Sequence, residues 1–204
     1  MENNFRRDPE GNTLAVIVLI GMVVFVIYGM YAFLIKPGQL FNALPVWVTP
    51  VLCGIGCGIA GYLAYVEITF VPTICGPVGH CQSVQQSDYA RLFGILPIGF
   101  LGVAGYVAII ITWWIGRTGR SRWAEMAGLI LLGMTTSGIL FSIYLTFLEP
   151  FVIGATCLWC LSSAILMTVL MYLSIASGKS AFNHLTTKVS LSAPSPRVKT
   201  HIRD

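Results

Sequence analysis

Charged side chains are scarce in this chain. Asp, Glu, Lys and Arg make up only 10% of its 204 residues, against a hydrophobic share of 56%, and the mean hydropathy is +0.80. Soluble domains carry about 25% charged residues, so no separate soluble domain is expected. The chain also lacks an internal repeat, and it lacks a clean small-x-small cleavage site ahead of Lys36. Its net charge of +4 sits mostly in one loop and the C-terminal tail. That balance gives no reason to expect a nucleic-acid partner.

Apolar sequence is plentiful instead. A bilayer core of about 30 Å needs about 20 mostly apolar residues per helix, and the chain offers five such runs: Leu14–Ile35, Val46–Phe70, Pro97–Ile115, Ala124–Leu148 and Cys157–Ala176. Backbone in lipid must satisfy its own hydrogen bonds, so the runs are predicted to be helices. The fold class is therefore all-α integral membrane, with five spans. The first run follows Arg6 and Arg7 but exceeds the apolar length of a signal peptide, about 7–15 residues, and is read as a retained helix.

Orientation follows from Lys and Arg. Arg117, Arg120 and Arg122 form the densest basic loop, and placing it in the cytoplasm brings in Lys36, Lys179, Lys188, Arg197, Lys199 and Arg203. Nine basic residues then lie inside, and three (Arg6, Arg7 and Arg91) outside. The N-terminus is expected outside and the C-terminus in the cytoplasm. The polar, Pro/Ser-containing tail from Ser177 is expected to be disordered.

Six cysteines remain to be placed. Cys53 and Cys57 lie deep in the second run among glycines, and read as small packing residues. Cys75 and Cys81 lie in the longest loop, where Gly76, Pro77 and Gly79 supply turns that let the two sulfurs meet. Cys157 and Cys160 open the fifth run three residues apart, on one helix face. Their place in the first turn, beside unpaired N–H groups, favours a thiolate. All four fall at the outer face, which for a bacterial chain is the oxidising side. A thiolate is nucleophile and leaving group in disulfide exchange, so the arrangement suits a redox relay. Structural staples, a zinc site and a transporter passing a soft metal ion between cysteine pairs remain open on chemistry alone. His80 reads as a solvated loop residue.

The stretch CGPVGHCQSVQQSDYARLFG from Cys75 to Gly94, the following PIGFLGVAGY, and CLWC at 157–160 together resemble the vitamin K epoxide reductase family, specifically its bacterial quinone-linked members. The resemblance covers about residues 46–176. It implies a four-helix transmembrane bundle core with one extra N-terminal transmembrane helix in residues 1–45, and a cytoplasmic tail over 177–204. It further implies catalysis by Cys75, Cys81, Cys157 and Cys160, with Cys160 facing the quinone (ubiquinone or menaquinone) and Cys157 exchanging with the loop pair. Ser87 matches a serine near the active site. Val84–Phe93 matches an amphipathic cap, with Val84, Tyr89 and Phe93 toward lipid or quinone, and Gln85, Asp88 and Arg91 toward water. Cofactor contacts are thus expected from Cys160, Ser87 and Phe93, with no metal.

Three departures stand out. Many bacterial members carry a fused thioredoxin-like domain behind an extra C-terminal helix; here the extra helix is N-terminal, so a separate extracytoplasmic thioredoxin-like partner is implied. FGILP holds one residue more than the expected FGIP. Nothing in the residues points to an epoxide as substrate. The implied location is the bacterial inner or plasma membrane, with the active site on its extracytoplasmic face.

Overall fold

The structure, a computed structural model, describes residues 5–35, 47–75, 79–92, 96–119 and 122–192. Its long helices are α1 (Pro9–Ile35) and α2 (Val48–Thr69), then, after the short α3 (Cys81–Gln85), α4 (Ile98–Thr118), α5 (Arg122–Leu148) and α6 (Leu158–Ser192). Among the described residues, five helices are long and apolar enough to cross a membrane. The protein is an all-α integral membrane protein. A minute antiparallel pair, β1 (Arg91–Leu92) with β2 (Leu96–Pro97), sets Arg91 opposite Pro97 ahead of α4.

Local chemistry sets the helix ends. Asp8 caps α1 by accepting the Gly11 N–H on Oδ1 at 3.1 Å, and Pro9 occupies the first helical position, where its missing N–H costs nothing. This cap starts the helix five residues before the apolar run that announces it. At the far end of α5, Pro150 interrupts the α pattern. The chain continues as a π turn over Glu149–Ile153, closed by Gly154 at φ +75. Such wide turns are frequent at functional sites.

Packing depends on small residues where helices approach closely. On α2, Gly56, Ala60 and Ala64 recur every fourth residue along the buried stripe. The Tyr106 ring lies over Gly56, and Gly99 and Gly102 of α4 sit directly against Ala64 and Ala60. Cys53, fully buried, joins Tyr106, Ile139 and Leu170 in the main core, as the packing reading of the α2 cysteines expects. The buried Tyr106 hydroxyl is satisfied by Ser163, at 3.1 Å from its carbonyl and 2.9 Å from Oγ. Helices α5 and α6 pack along much of their length, and α1 lies against both.

Two expectations are corrected. The tail does not become irregular at Ser177: α6 continues to Ser192. The reason is contact, since Gly178 packs under Leu132 and Lys179 Nζ donates to the Ala32 carbonyl at 3.2 Å, tying the extension to α5 and α1. Residues 193–204 lie outside the described residues. Nor is Val84–Phe93 one amphipathic helix. The backbone turns extended at Ser87 (φ −71, ψ 152) and resumes as a single 3-10 turn, Asp88–Ala90. With helical periodicity broken there, Gln85 points inward and is buried, while Tyr89 stays half-exposed.

Candidate functional site

The start of α1, the ends of α2 and α5, and the starts of α4 and α6 all lie at one end of the bundle, together with the loop that carries Cys75 and Cys81. These two form a disulfide with a Cα–Cα distance of 6.0 Å. The strand of chain leading to it is fixed at Ile74. Its N–H donates to Tyr62 Oη at 3.0 Å, and its carbonyl accepts Trp159 Nε1–H, also at 3.0 Å. The Tyr62 and Trp159 rings meet at 4.9 Å. Further along, Gly79 (φ +93) passes so near the Thr156 carbonyl that a Cβ would stand 2.7 Å from that oxygen, which leaves glycine as the residue that fits. His80 N–H then donates to the same carbonyl at 3.0 Å. Gly76 and Pro77, expected to supply the turn, lie outside the described residues.

Cys157 is not in the first turn of α6 but one residue before it, in the capping position. Its sulfur accepts the Cys160 N–H at 3.4 Å, as capping oxygens do elsewhere. Cys157 and Cys81 are both fully buried and share one cluster with Leu63, Val84 and Ala155, against which Cys75 and Cys160 pack. The structure thus gathers all four expected cysteines.

Three polar residues that the sequence reading missed or misplaced complete the site. Glu149, 2% exposed, accepts the Cys157 N–H on Oε2 at 3.3 Å. Gln85, expected to face water, donates Nε2–H to Cys157 Sγ at 3.6 Å and Cys160 Sγ at 3.5 Å. Glu67, also buried, accepts the Gly99 N–H at 3.2 Å. Glu67 could have been found from sequence, because an acidic residue inside an apolar run costs enough to need a reason, and Glu149 directly follows such a run.

Hydrogen bonds govern the charge on Cys157. The Cys160 thiol contributes most, and the Cys160 N–H, the Gln85 amide and the Trp159 N–H add to it. Against burial, which works the other way, they hold the Cys157 thiol below the ordinary range. A lowered value means that thiolate is present at a pH where a free thiol, at about 8.5, is still protonated. In a variant keeping only Cys157 and Cys160, thiolate ultraviolet absorbance is expected to begin titrating below that range. Gln85→Leu, which removes a donor, should move the titration upward; an unmoved curve would deny Gln85 this role.

Cys160 opens onto an apolar cavity of about 780 Å³ between α2, α4, α5 and α6. Tyr106, Met134 and Phe141 contribute to its wall, and Glu67, Gln85, Ser87 and Glu149 reach it at the cysteine end. A second cavity, of about 770 Å³, adjoins it and is lined by Thr73, Gln82, Gln86 and Arg91. Glu67, Gln85 and Ser87 border both. The Ser87 hydroxyl itself donates to the Val84 carbonyl at 2.7 Å, so it helps shape the bend as well as lining the cavities. Phe93, the remaining expected contact, lies outside the described residues.

The N-terminal helix reaches the site too. Thr156 Oγ1 donates to Asn12 Oδ1 at 3.0 Å, and Asp8 Oδ2 lies 3.6 Å from His80 Nδ1. His80 is thus exposed but partnered.

Two cysteine pairs stacked at one end of a polytopic helical bundle, one of them opening onto an intramembrane cavity, define a narrow class of membrane protein. The chain belongs to the vitamin K epoxide reductase family, whose family model matches residues 47–175. Helix α1 lies outside that match. The chain is also 33% identical over 123 residues to the thiol-disulfide oxidoreductase LTO1 of Arabidopsis thaliana. That alignment takes in 58% of this chain and 32% of the relative, so this chain corresponds to about a third of the plant protein's length.

Proposed function

We propose that the protein is a quinone-dependent thiol–disulfide oxidoreductase. It oxidises a separate extracytoplasmic thioredoxin-like protein and passes the electrons to a membrane quinone, ubiquinone or menaquinone, in support of oxidative folding of exported proteins. One observation carries this reading: the sulfurs are ordered from surface to cavity. Cys75 is half-exposed, Cys81 and Cys157 are buried in one cluster, and Cys160 borders the apolar cavity. That cavity falls within the usual size of small-molecule sites, about 300–1,000 Å³, apolar with a few polar groups, and its residues fit a flat ring bearing two carbonyls. A bound quinone supplies a two-electron, two-proton acceptor.

The partner's thiolate reaches Cys75, the accessible sulfur of the loop disulfide. Attack there breaks the Cys75–Cys81 bond, and the partner's second thiol completes its own disulfide, leaving both loop cysteines reduced. Cys81 then attacks Cys157 of an oxidised Cys157–Cys160 pair, and Cys160 leaves. Cys75 displaces Cys157 and restores the loop disulfide. Cys157 and Cys160 finally re-form their bond beside the cavity, giving up two electrons and two protons. Each exchange conserves electrons, and a downhill step of about 30 mV is worth about 1.4 kcal/mol for this couple.

The arrangement of helix ends supports the proposed orientation, since α1 starts at the cysteine end whereas Arg117 and Lys179 belong to the other. With the basic end cytoplasmic, the relay faces outward.

The test pairs trapping with activity. Purified protein given a dithiol and a soluble quinone is expected to produce quinol. A Cys75→Ala/Cys160→Ala variant should accumulate a Cys81–Cys157 disulfide by non-reducing peptide mapping, whereas Cys81→Ala/Cys160→Ala should leave Cys75 and Cys157 apart. Absence of quinol formation would refute the function, and a Cys75–Cys157 bond would reverse the proposed order of the loop cysteines.

A further inference from the structure

Quinone reduction needs protons as well as electrons. As the Cys157–Cys160 bond forms, two thiols release two electrons and two protons; the quinone takes up the same number as its two carbonyls become hydroxyls. The electrons have a sulfur path. An apolar cavity offers protons no comparable path except through its few polar side chains.

Glu67 stands where such a path must cross. It is 6% exposed, placed near the end of α2, and borders both the apolar cavity beside Cys160 and the polar cavity lined by Thr73, Gln82, Gln86 and Arg91. Its Oε2 is oriented by the Gly99 N–H at the start of α4. The Arg91 guanidinium, within electrostatic reach of it and stacked 5.4 Å from the centre of the Phe70 ring, forms part of the polar wall. A carboxyl on this boundary can exchange with water on one side and with a ligand oxygen on the other.

A second observation points the same way. Gln85 borders both cavities, is nine-tenths buried, and its Oε1 has no hydrogen-bond partner among the described residues. Its Nε2 is already committed to the two sulfurs. An orphaned buried acceptor is costly, and turning the amide toward the cavity would supply its partner, because the reduced ligand carries two O–H groups and the oxidised one carries none.

We propose that Glu67 is the proton-transfer residue of the quinone site, giving its carboxyl proton to a quinone oxygen and regaining one from water in the polar cavity, while Gln85 Oε1 accepts a hydroxyl of the quinol. The two protons leaving the thiols balance the two taken up. This inference rests on the quinone reading above and extends it from the sulfurs to the protons.

The experiment compares wild type with Glu67→Gln, which keeps an oxygen for the Gly99 N–H. The variant is expected to lose about 10²-fold or more in quinol formation, the scale of general acid catalysis, while reduction of the Cys75–Cys81 disulfide by a dithiol keeps its wild-type rate. Redox-difference infrared spectra of quinone-loaded protein supply an independent readout. Wild type should show a carboxyl band that shifts in D₂O, and Glu67→Gln should lack it. A Glu67→Ala variant, slow alone and accelerated by added formate, covers the case in which the glutamine disturbs packing. Wild-type quinol formation in Glu67→Gln, an unchanged infrared band, or no formate rescue would each overturn the assignment. No quinol from wild type itself would instead refute the broader function.

Discussion

Alanine at position 160 is expected to abolish quinol formation while leaving the loop disulfide fully exchangeable. The two outcomes separate because the cysteines hold different places. Cys75 is half-exposed and paired with Cys81, so a soluble dithiol can still reduce it. Cys160 alone among the four borders the apolar cavity, so its removal disconnects the cavity from every other sulfur. The loss should be about three orders of magnitude or more, as when an enzyme loses its nucleophile. Rates of quinol formation and of loop-disulfide reduction, measured on one preparation, decide the matter. Substantial quinol formation by Cys160→Ala would require another electron path.

The largest effect on folding is expected from Gly99→Val. A side chain at 99 would meet the Ala64 backbone of α2, with Ala64 Cα only 2.6 Å from the new Cβ. Neither partner can yield by rotating a side chain. Overpacking in cores typically costs about 1–3 kcal/mol, and a backbone-to-backbone clash belongs at or above the top of that range. The displaced α4 would also withdraw the Gly99 N–H from Glu67. Gly61→Ala is the control, because nothing lies within 4 Å of a Cβ there and alanine is favoured over glycine in a helix interior by about 0.5–1 kcal/mol. Thermal unfolding in detergent should show Gly99→Val strongly destabilised and Gly61→Ala unchanged or improved. Equal stability of the two would refute the close α2–α4 approach.

Length and hydropathy alone carried the five spans, because lipid leaves a long apolar run no alternative to helix. The gathering of four cysteines was legible as well, from two in the longest loop and two at the head of the last run. Gln85 was not, since its assigned direction extrapolated a helical period through Ser87, where the backbone turns extended. The helical stretch beyond Ser177 was hidden by its polar composition. Contacts at Gly178 and Lys179, made with residues distant in sequence, hold it in place. Asn12 was invisible for the same reason: an amide just ahead of an apolar run carries no mark of the threonine it meets across the bundle.

Thr156 ties together parts of the chain made far apart in time. Its hydroxyl meets Asn12, and its carbonyl receives the His80 N–H. A ribosome delivers these residues in the order 12, 80, 156. Cys75 and Cys81, six residues apart, can pair once their own short loop is made, because closing it costs little entropy. Cys157 joins them only when α6, the last described helix, enters the bundle. Connection between the two sulfur pairs is therefore a final-stage property of biogenesis, and a nascent chain halted before α6 lacks the sulfur pair that its loop cysteines meet in the folded protein.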